Sequence, residues 1–162
     1  MEKYKIISLL LIFGIYSFSM FPSIFIFSFN STYKTKDVFL KKLIISILLE
    51  IIIFSLIYIF PRNIINFLIN KPNIQNYTYY ALKILFISSP LSAIHIGIPM
   101  FFFKNKKKKK AFALFSLKLV YIPFLFLGKL LFNTKGIYFS VPILDFIYSI
   151  FLYNFFRKSF LS

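Results

Sequence analysis

Long apolar runs separated by short basic segments organise the chain. This alternation predicts five membrane-spanning helices, at residues 6–29, 43–60, 79–103, 111–132 and 137–156. Each run has roughly the 20 apolar residues that a helix needs to cross about 30 Å of hydrocarbon. A transmembrane barrel would show shorter segments of alternating polarity, and the sequence has none. The predicted fold class is an all-α integral membrane protein, with residues 1–162 forming a single membrane domain.

Prolines and polar residues interrupt this pattern. Pro22 predicts a kink in the first crossing, and residues 133–136 predict a tight turn before the last one. Residues 63–78 form the longest polar connection, and within it four apolar residues are spaced for a short amphipathic turn at the membrane interface. Those four residues are Ile64, Ile65, Phe67 and Leu68.

Lysine and arginine are divided unequally between the two ends of the predicted crossings. Segments 30–42 and 104–110 and the tail from residue 157 carry 12 of them, whereas six lie at the opposite ends. Because lysine-rich loops remain on the cytoplasmic side, we expect these segments and the C-terminus to be cytoplasmic, in a plasma (inner) membrane. The N-terminus then faces out, which we interpret as a sign that the chain is the later part of something longer.

The composition excludes several classes of protein. Hydrophobic residues make up 59% of the chain and its mean hydropathy is +0.81, so a soluble domain of this kind would expose too much apolar surface. The net charge of +16 suggests nucleic acid in a soluble protein. Here we interpret the lysines as topology determinants and contacts to anionic lipid, and expect no nucleic-acid partner. Without cysteine, a Ser-His-Asp arrangement, a phosphate loop or metal-ligand spacing, we predict neither an enzyme nor a bound metal or cofactor.

Short motifs recur in a fixed order along the apolar runs. They are Phe21-Pro22 through Phe29-Asn30, Phe60-Pro61, Ala81-Leu82-Lys83-Ile84 with Ser89-Pro90, Phe101-Phe102-Phe103, Ala113 through Lys118, Gly136-Ile137-Tyr138, and Val141-Pro142-Ile143-Leu144-Asp145. In order and spacing they resemble the C-terminal half of multidrug and toxic compound extrusion (MATE) transporters. The chain departs from that pattern at Ser31-Thr32, where the family has Gly-Ala, and at Lys118, where it has arginine.

This resemblance implies a fold and a function. The family has twelve helices in two six-helix lobes around a cavity, and this chain would supply about helices eight to twelve. A member exchanges an amphipathic or cationic drug or toxin for H⁺ or Na⁺ by rocking of its lobes. Because five helices cannot enclose that cavity, the chain would be either a fragment or one that assembles with a second chain supplying the missing lobe. The alternatives are a non-transporting degenerate remnant, a small membrane assembly subunit, or a lipid-linked saccharide flippase of the same superfamily.

Three titratable residues inside the predicted crossings are candidates for substrate or ion coupling: Glu50, Asp145 and His95. Charge within a bilayer is costly and is tolerated where it acts or is paired. Structural alternatives remain open for all three. Asp145 would accept a hydrogen bond from a backbone group that a nearby proline leaves unpaired, or would pair with Lys118. Glu50 would pair with Lys83 or with His95, or would face the missing lobe. His95 would be a buried, hydrogen-bonded side chain that serves only to pack the helices together.

Overall fold

The computed structural model of the chain describes residues 2–28 and 35–161, and every element within these ranges is helical. The elements are α1 (Glu2–Ser19), α2 (Phe21–Ser28), α3 (Lys36–Ile59), α4 (Pro61–Leu68), α5 (Pro72–Leu85), a 3₁₀ segment (Phe86–Leu91), α6 (Ser92–Lys104), α7 (Lys108–Ser116), a second 3₁₀ segment (Leu117–Val120) and α8 (Tyr121–Leu161).

Four helical stretches in the described ranges are long and apolar enough to cross a membrane. They are Lys36–Ile59, Ile74–Lys104, Lys108–Asn133 and Lys135–Ser159. The bent pair Leu10–Ser19 and Phe21–Ser28, with 41° between its halves, gives a fifth if it is counted as one span. The chain is therefore a multi-pass helical membrane protein, and the described part of each predicted crossing is helical apart from breaks at Met20, Phe60 and Phe132.

The central helix of the bundle runs from Pro72 to Lys104, and residues Ile74–Lys104 are its membrane-spanning stretch. Inside the protein it buries 61% of its most apolar window, whereas α3 and the stretch Lys108–Asn133 bury 17% each. It combines α5, the first 3₁₀ segment and α6, which together pack against the other α-helices. The outer helices present apolar side chains outward, as expected of helices in lipid.

Several helix boundaries differ from the sequence prediction. Helix α3 begins at Lys36 rather than at residue 43, because Thr35 caps it by accepting a hydrogen bond from the amide of Val38 at 3.4 Å. The central helix begins at Pro72 rather than at residue 79, since proline is favoured in a first turn, where its missing N–H has no partner to lose. The kink assigned to Pro22 lies at Met20, just before the helix that Pro22 helps to start.

The turn predicted at residues 133–136 is a break inside α8. Phe132 and Asn133 leave the helical conformation, and Asn133 has a φ of 57°. The helices on either side then meet at two glycines. A Cβ placed on Gly136 would overlap the carbonyl oxygen of Gly128, and one placed on Gly128 would lie 2.8 Å from the carbonyl oxygen of Gly136. Only glycine permits this backbone contact.

Two apolar clusters occupy the two ends of the bundle. The lysine-end cluster comprises Phe27, Phe39, Ile98, Phe101, Phe102, Ala111, Leu114, Tyr148, Leu152 and Phe156. The far-end cluster comprises Ile12, Ile57, Ala81, Leu82, Leu85, Phe86 and Tyr138. The order in which the chain visits the clusters reverses from each span to the next, so successive spans run in opposite directions. The lysine-rich segments are thereby gathered at one end, where Lys104 Nζ donates to the carbonyl oxygen of Ser28 at 2.9 Å.

Candidate functional site: a polar layer at mid-height of the bundle

Buried polar side chains form a layer between the two apolar clusters. The polar layer comprises Ser19, Ser23, Ser46, Glu50, Ser88, Ser89, Ser92, His95, Asp145 and Ser149. Its members lie near the middle of the first, second, third and last spans, and the fourth reaches it through Tyr121. All three titratable candidates belong to it, each with at most 2% of its surface exposed.

Asp145 is held by hydroxyl groups from three different spans. Its Oδ2 accepts hydrogen bonds from Ser88 Oγ at 2.6 Å and from the Tyr16 hydroxyl at 3.0 Å, and its Oδ1 accepts one from the Tyr121 hydroxyl at 2.9 Å. An ionised carboxylate only accepts hydrogen bonds, so three converging donors suit the charged form. The carboxylate links α1, the central helix and α8.

His95 lies beside this carboxylate with one nitrogen satisfied and the other free. Ser149 Oγ donates to the Asp145 carbonyl oxygen at 2.8 Å, so its lone pairs face His95 Nε2, also at 2.8 Å. This arrangement assigns the imidazole hydrogen to Nε2. Nδ1 has no hydrogen-bond partner among the described residues and lies 3.6 Å from Asp145 Oδ1, which is too long for a hydrogen bond. A bound proton would convert this approach into a charge-assisted pair.

Lys118 does not form the predicted ion pair with Asp145. Its Nζ lies 5.7 Å from the centroid of the Tyr148 ring, and the basic side chain that comes within 4.0 Å of the Asp145 carboxylate in the described ranges is His95, through its unprotonated Nδ1. The Tyr148 ring packs 4.9 Å from the His95 ring, centroid to centroid, and its hydroxyl donates to the Leu114 carbonyl oxygen at 2.6 Å. Lys118 therefore borders the site without touching the carboxylate.

Glu50 has a different kind of environment. Its Oε2 accepts a hydrogen bond from the backbone amide of Ala93 at 2.7 Å, and its Oε1 accepts one from Ser23 Oγ. Ser23 Oγ in turn lies 2.8 Å from Ser46 Oγ. The carboxylate thus caps the start of α6 while linking α2 to α3, which is a favourable place for a negative charge.

The central helix provides hydrogen-bond donors to both Asp145 and Glu50. Between these two donors it changes from a 3₁₀ helix to an α-helix. Residues 86–91 form a 3₁₀ segment that contains Pro90, which has no amide hydrogen to donate. Ser88 precedes the return to α-helix and meets Asp145, whereas Ala93 follows it and meets Glu50. One interrupted helix therefore serves carboxylates on two neighbouring helices.

The sequence found the three titratable residues but not their arrangement. Asp145 and His95 are brought together, whereas Glu50 pairs neither with His95 nor with Lys83, and its burial means that it faces no open side of the chain. The hydroxyl partners were missed. The sequence did contain a pattern that points to some of these hydroxyl groups. Within the apolar runs, pairs of polar residues are spaced four apart, which places both on one face of a helix. These pairs are Ser19 and Ser23, Ser88 and Ser92, and Asp145 and Ser149.

Within the described ranges, no three His, Asp or Glu side chains are grouped closely enough to hold a metal ion. A scan against protein-family profiles and searches of curated proteins and of solved structures found no match for the chain.

Proposed function

We propose that the chain is part of a MATE-type efflux antiporter that exports amphipathic or cationic compounds in exchange for H⁺ or Na⁺. Its five helices correspond to most of one lobe, and a second chain or segment supplies the other. The sequence motifs suggest the family. The observation that carries the proposal is the buried polar layer, because secondary transporters bind their coupling ions near the bilayer midplane.

The Asp145 site offers a way to couple an ion to helix packing. When Asp145 takes up a proton, the carboxyl group loses its charge and part of its acceptor capacity, so its bonds to the three hydroxyl donors weaken. Those donors, Tyr16, Ser88 and Tyr121, belong to different spans. Proton uptake by Asp145 or by the free Nδ1 of His95 thereby changes the links between α1, the central helix and α8. A sodium ion on the carboxylate would displace the same donors.

The test is ethidium or norfloxacin accumulation in cells that carry the chain with and without a partner supplying seven further crossings. We expect lower accumulation only when both are present, and loss of that difference in Asp145→Asn. Asp37→Asn is the matched control, because it makes the same change at an exposed position outside the polar layer. Unchanged efflux in Asp145→Asn would exclude Asp145 from coupling.

Two other results would decide against drug efflux. Equal accumulation in every background would favour the non-transporting remnant or assembly subunit. Failure to move drugs, combined with loss of a lipid-linked saccharide from the inner leaflet of vesicles, would favour the flippase.

A further inference from the structure

A small polar cavity lies between α4 and α5, outside the polar layer. Its volume is about 260 Å³, and it is lined by Arg62, Ile65, Asn66, Gln75, Asn76 and Tyr79. It is smaller than the cavities of about 300–1,000 Å³ that hold drug-sized ligands. We propose that this cavity binds the phosphate headgroup of an anionic phospholipid.

Two cations share one aromatic ring at the edge of the cavity. The guanidinium carbon of Arg62 lies 5.4 Å from the centroid of the Tyr79 ring, and Lys83 Nζ lies 5.0 Å from the same centroid and 5.3 Å from that of Tyr58. When a guanidinium stacks its flat face on an aromatic ring, the N–H groups along its edge remain free to bind an oxyanion. Because both cations lie within 5.4 Å of one ring centroid, their charges repel, and a bound anion relieves that repulsion.

No described carboxylate neutralises these cations. Asp37 lies at the other end of α3, a 24-residue helix about 36 Å long. Glu50 and Asp145 are engaged in the polar layer. Among the described side chains, neither Arg62 nor Lys83 has a carboxylate oxygen within 4.0 Å. Among the side chains that the structure describes, the site therefore has positive charge and amide hydrogen-bond donors but no carboxylate.

The cavity is built into the fold. Gln75 Nε2 donates to the carbonyl oxygen of Ile69 at 2.6 Å and fixes the connection between α4 and α5. Beneath the cavity, Ile65, Ile69 and Ile74 form a buried cluster. Ile65 thus anchors α4 against α5, while Arg62 and Asn66 give α4 a polar side toward the cavity.

The surroundings indicate a lipid rather than a free anion. Phe67 is 89% exposed on α4, as suits a side chain in the acyl boundary of a bilayer. Ile64 and Leu68 of α4 also line an apolar groove of about 550 Å³ that runs between α1 and α3. A helix is only about 10–12 Å across, so a phosphate in the cavity and an acyl chain in the groove can belong to one molecule.

The experiment is native mass spectrometry of the full chain in detergent, titrated with phosphatidylglycerol or with phosphatidylcholine of the same acyl chains. We expect preferential retention of phosphatidylglycerol. Arg62→Gln/Lys83→Gln should weaken that binding about 30-fold and Arg62→Gln alone about fivefold, and should weaken phosphatidylcholine binding much less, because its choline cation offsets the charge of its phosphate. The single change is at an exposed position, so it tests the site even if the double variant unfolds.

Lys107→Gln/Lys109→Gln is the control, because it removes the same charge from exposed positions at the lysine-rich end. An equal loss in this control would show general attraction to charge and overturn the proposal. Displacement of the lipid by millimolar inorganic phosphate would identify a free-anion site and also overturn it. The inference does not depend on transport, since binding is measured without it.

Discussion

At the scale of single residues, the bundle satisfies buried charge with hydroxyl groups rather than with lysine or arginine. Asp145 accepts from two tyrosines and a serine, and Glu50 accepts from a serine and a backbone amide. These partners stand in place of the pairs with Lys118 and Lys83 that the sequence left open as structural alternatives. Serine and tyrosine are common in apolar helices, so their role becomes visible only when the helices are placed side by side.

Tyr121→Phe should destabilise the protein by about 1–2 kcal/mol, because it removes one hydrogen bond to a buried carboxylate without changing the ring. The free energy of unfolding in mixed detergent micelles measures this effect. Tyr153→Phe is the control, since Tyr153 is 58% exposed. Equal stability of the two variants would mean that the hydroxyl of Tyr121 contributes nothing.

Glu50→Gln should lower stability and efflux together, because a neutral amide caps α6 more weakly than a carboxylate does. Asp145→Asn, which imitates the protonated carboxyl, should instead lose efflux even under conditions where the variant remains folded. Efflux and unfolding measured on the same two variants distinguish the roles. A Glu50→Gln variant that is fully stable but inactive would reassign Glu50 to ion coupling.

At the scale of helices, apolar length predicted the spans well and their ends poorly. The ends depend on caps and on packing: Thr35 extends α3 into a lysine-containing segment, and Pro72 starts the central helix within a stretch read as a polar loop. The amphipathic turn near Ile65 was predicted because its apolar spacing is local. The change of winding at residues 86–91 was not predicted, since Pro90 alone does not distinguish a kink from a 3₁₀ segment.

Gly136→Ala should destabilise the protein by about 1–3 kcal/mol, because the new methyl group would overlap backbone at Gly128. Gly14→Ala is the matched control, since a Cβ there meets no atom within 4 Å and alanine favours helix. Thermal unfolding in detergent compares them. A Gly136→Ala protein that melts with the control would show that the two halves of α8 separate easily.

At the scale of the whole molecule, one buried helix is surrounded by helices that expose much of their apolar surface. The alternating direction of the spans collects the lysine-rich segments at one end of the bundle, as the sequence predicted. The side of the membrane on which that end lies remains a prediction from the distribution of lysine.

This orientation can be tested with single cysteines, since the chain has none of its own. Asn70→Cys, between α4 and α5, should react with a membrane-impermeant maleimide added to intact cells. Asn105→Cys, in the lysine-rich connection after α6, should react only after the cells are opened. The reverse pattern of labelling would invert the predicted topology.

The 3₁₀ segment also fixes the phase of the two halves of the central helix. Six residues at three per turn rotate about 120° further than six residues of α-helix and extend about 3 Å more. A helical wheel drawn through Ile74–Lys104 as one regular helix therefore misplaces one half by a third of a turn. Inserting or deleting a single amino acid here would rotate one half of the helix relative to the other, so that Ser88 and Ala93 could no longer both reach Asp145 and Glu50. Insertions and deletions among natural variants of this sequence should therefore avoid residues 86–91.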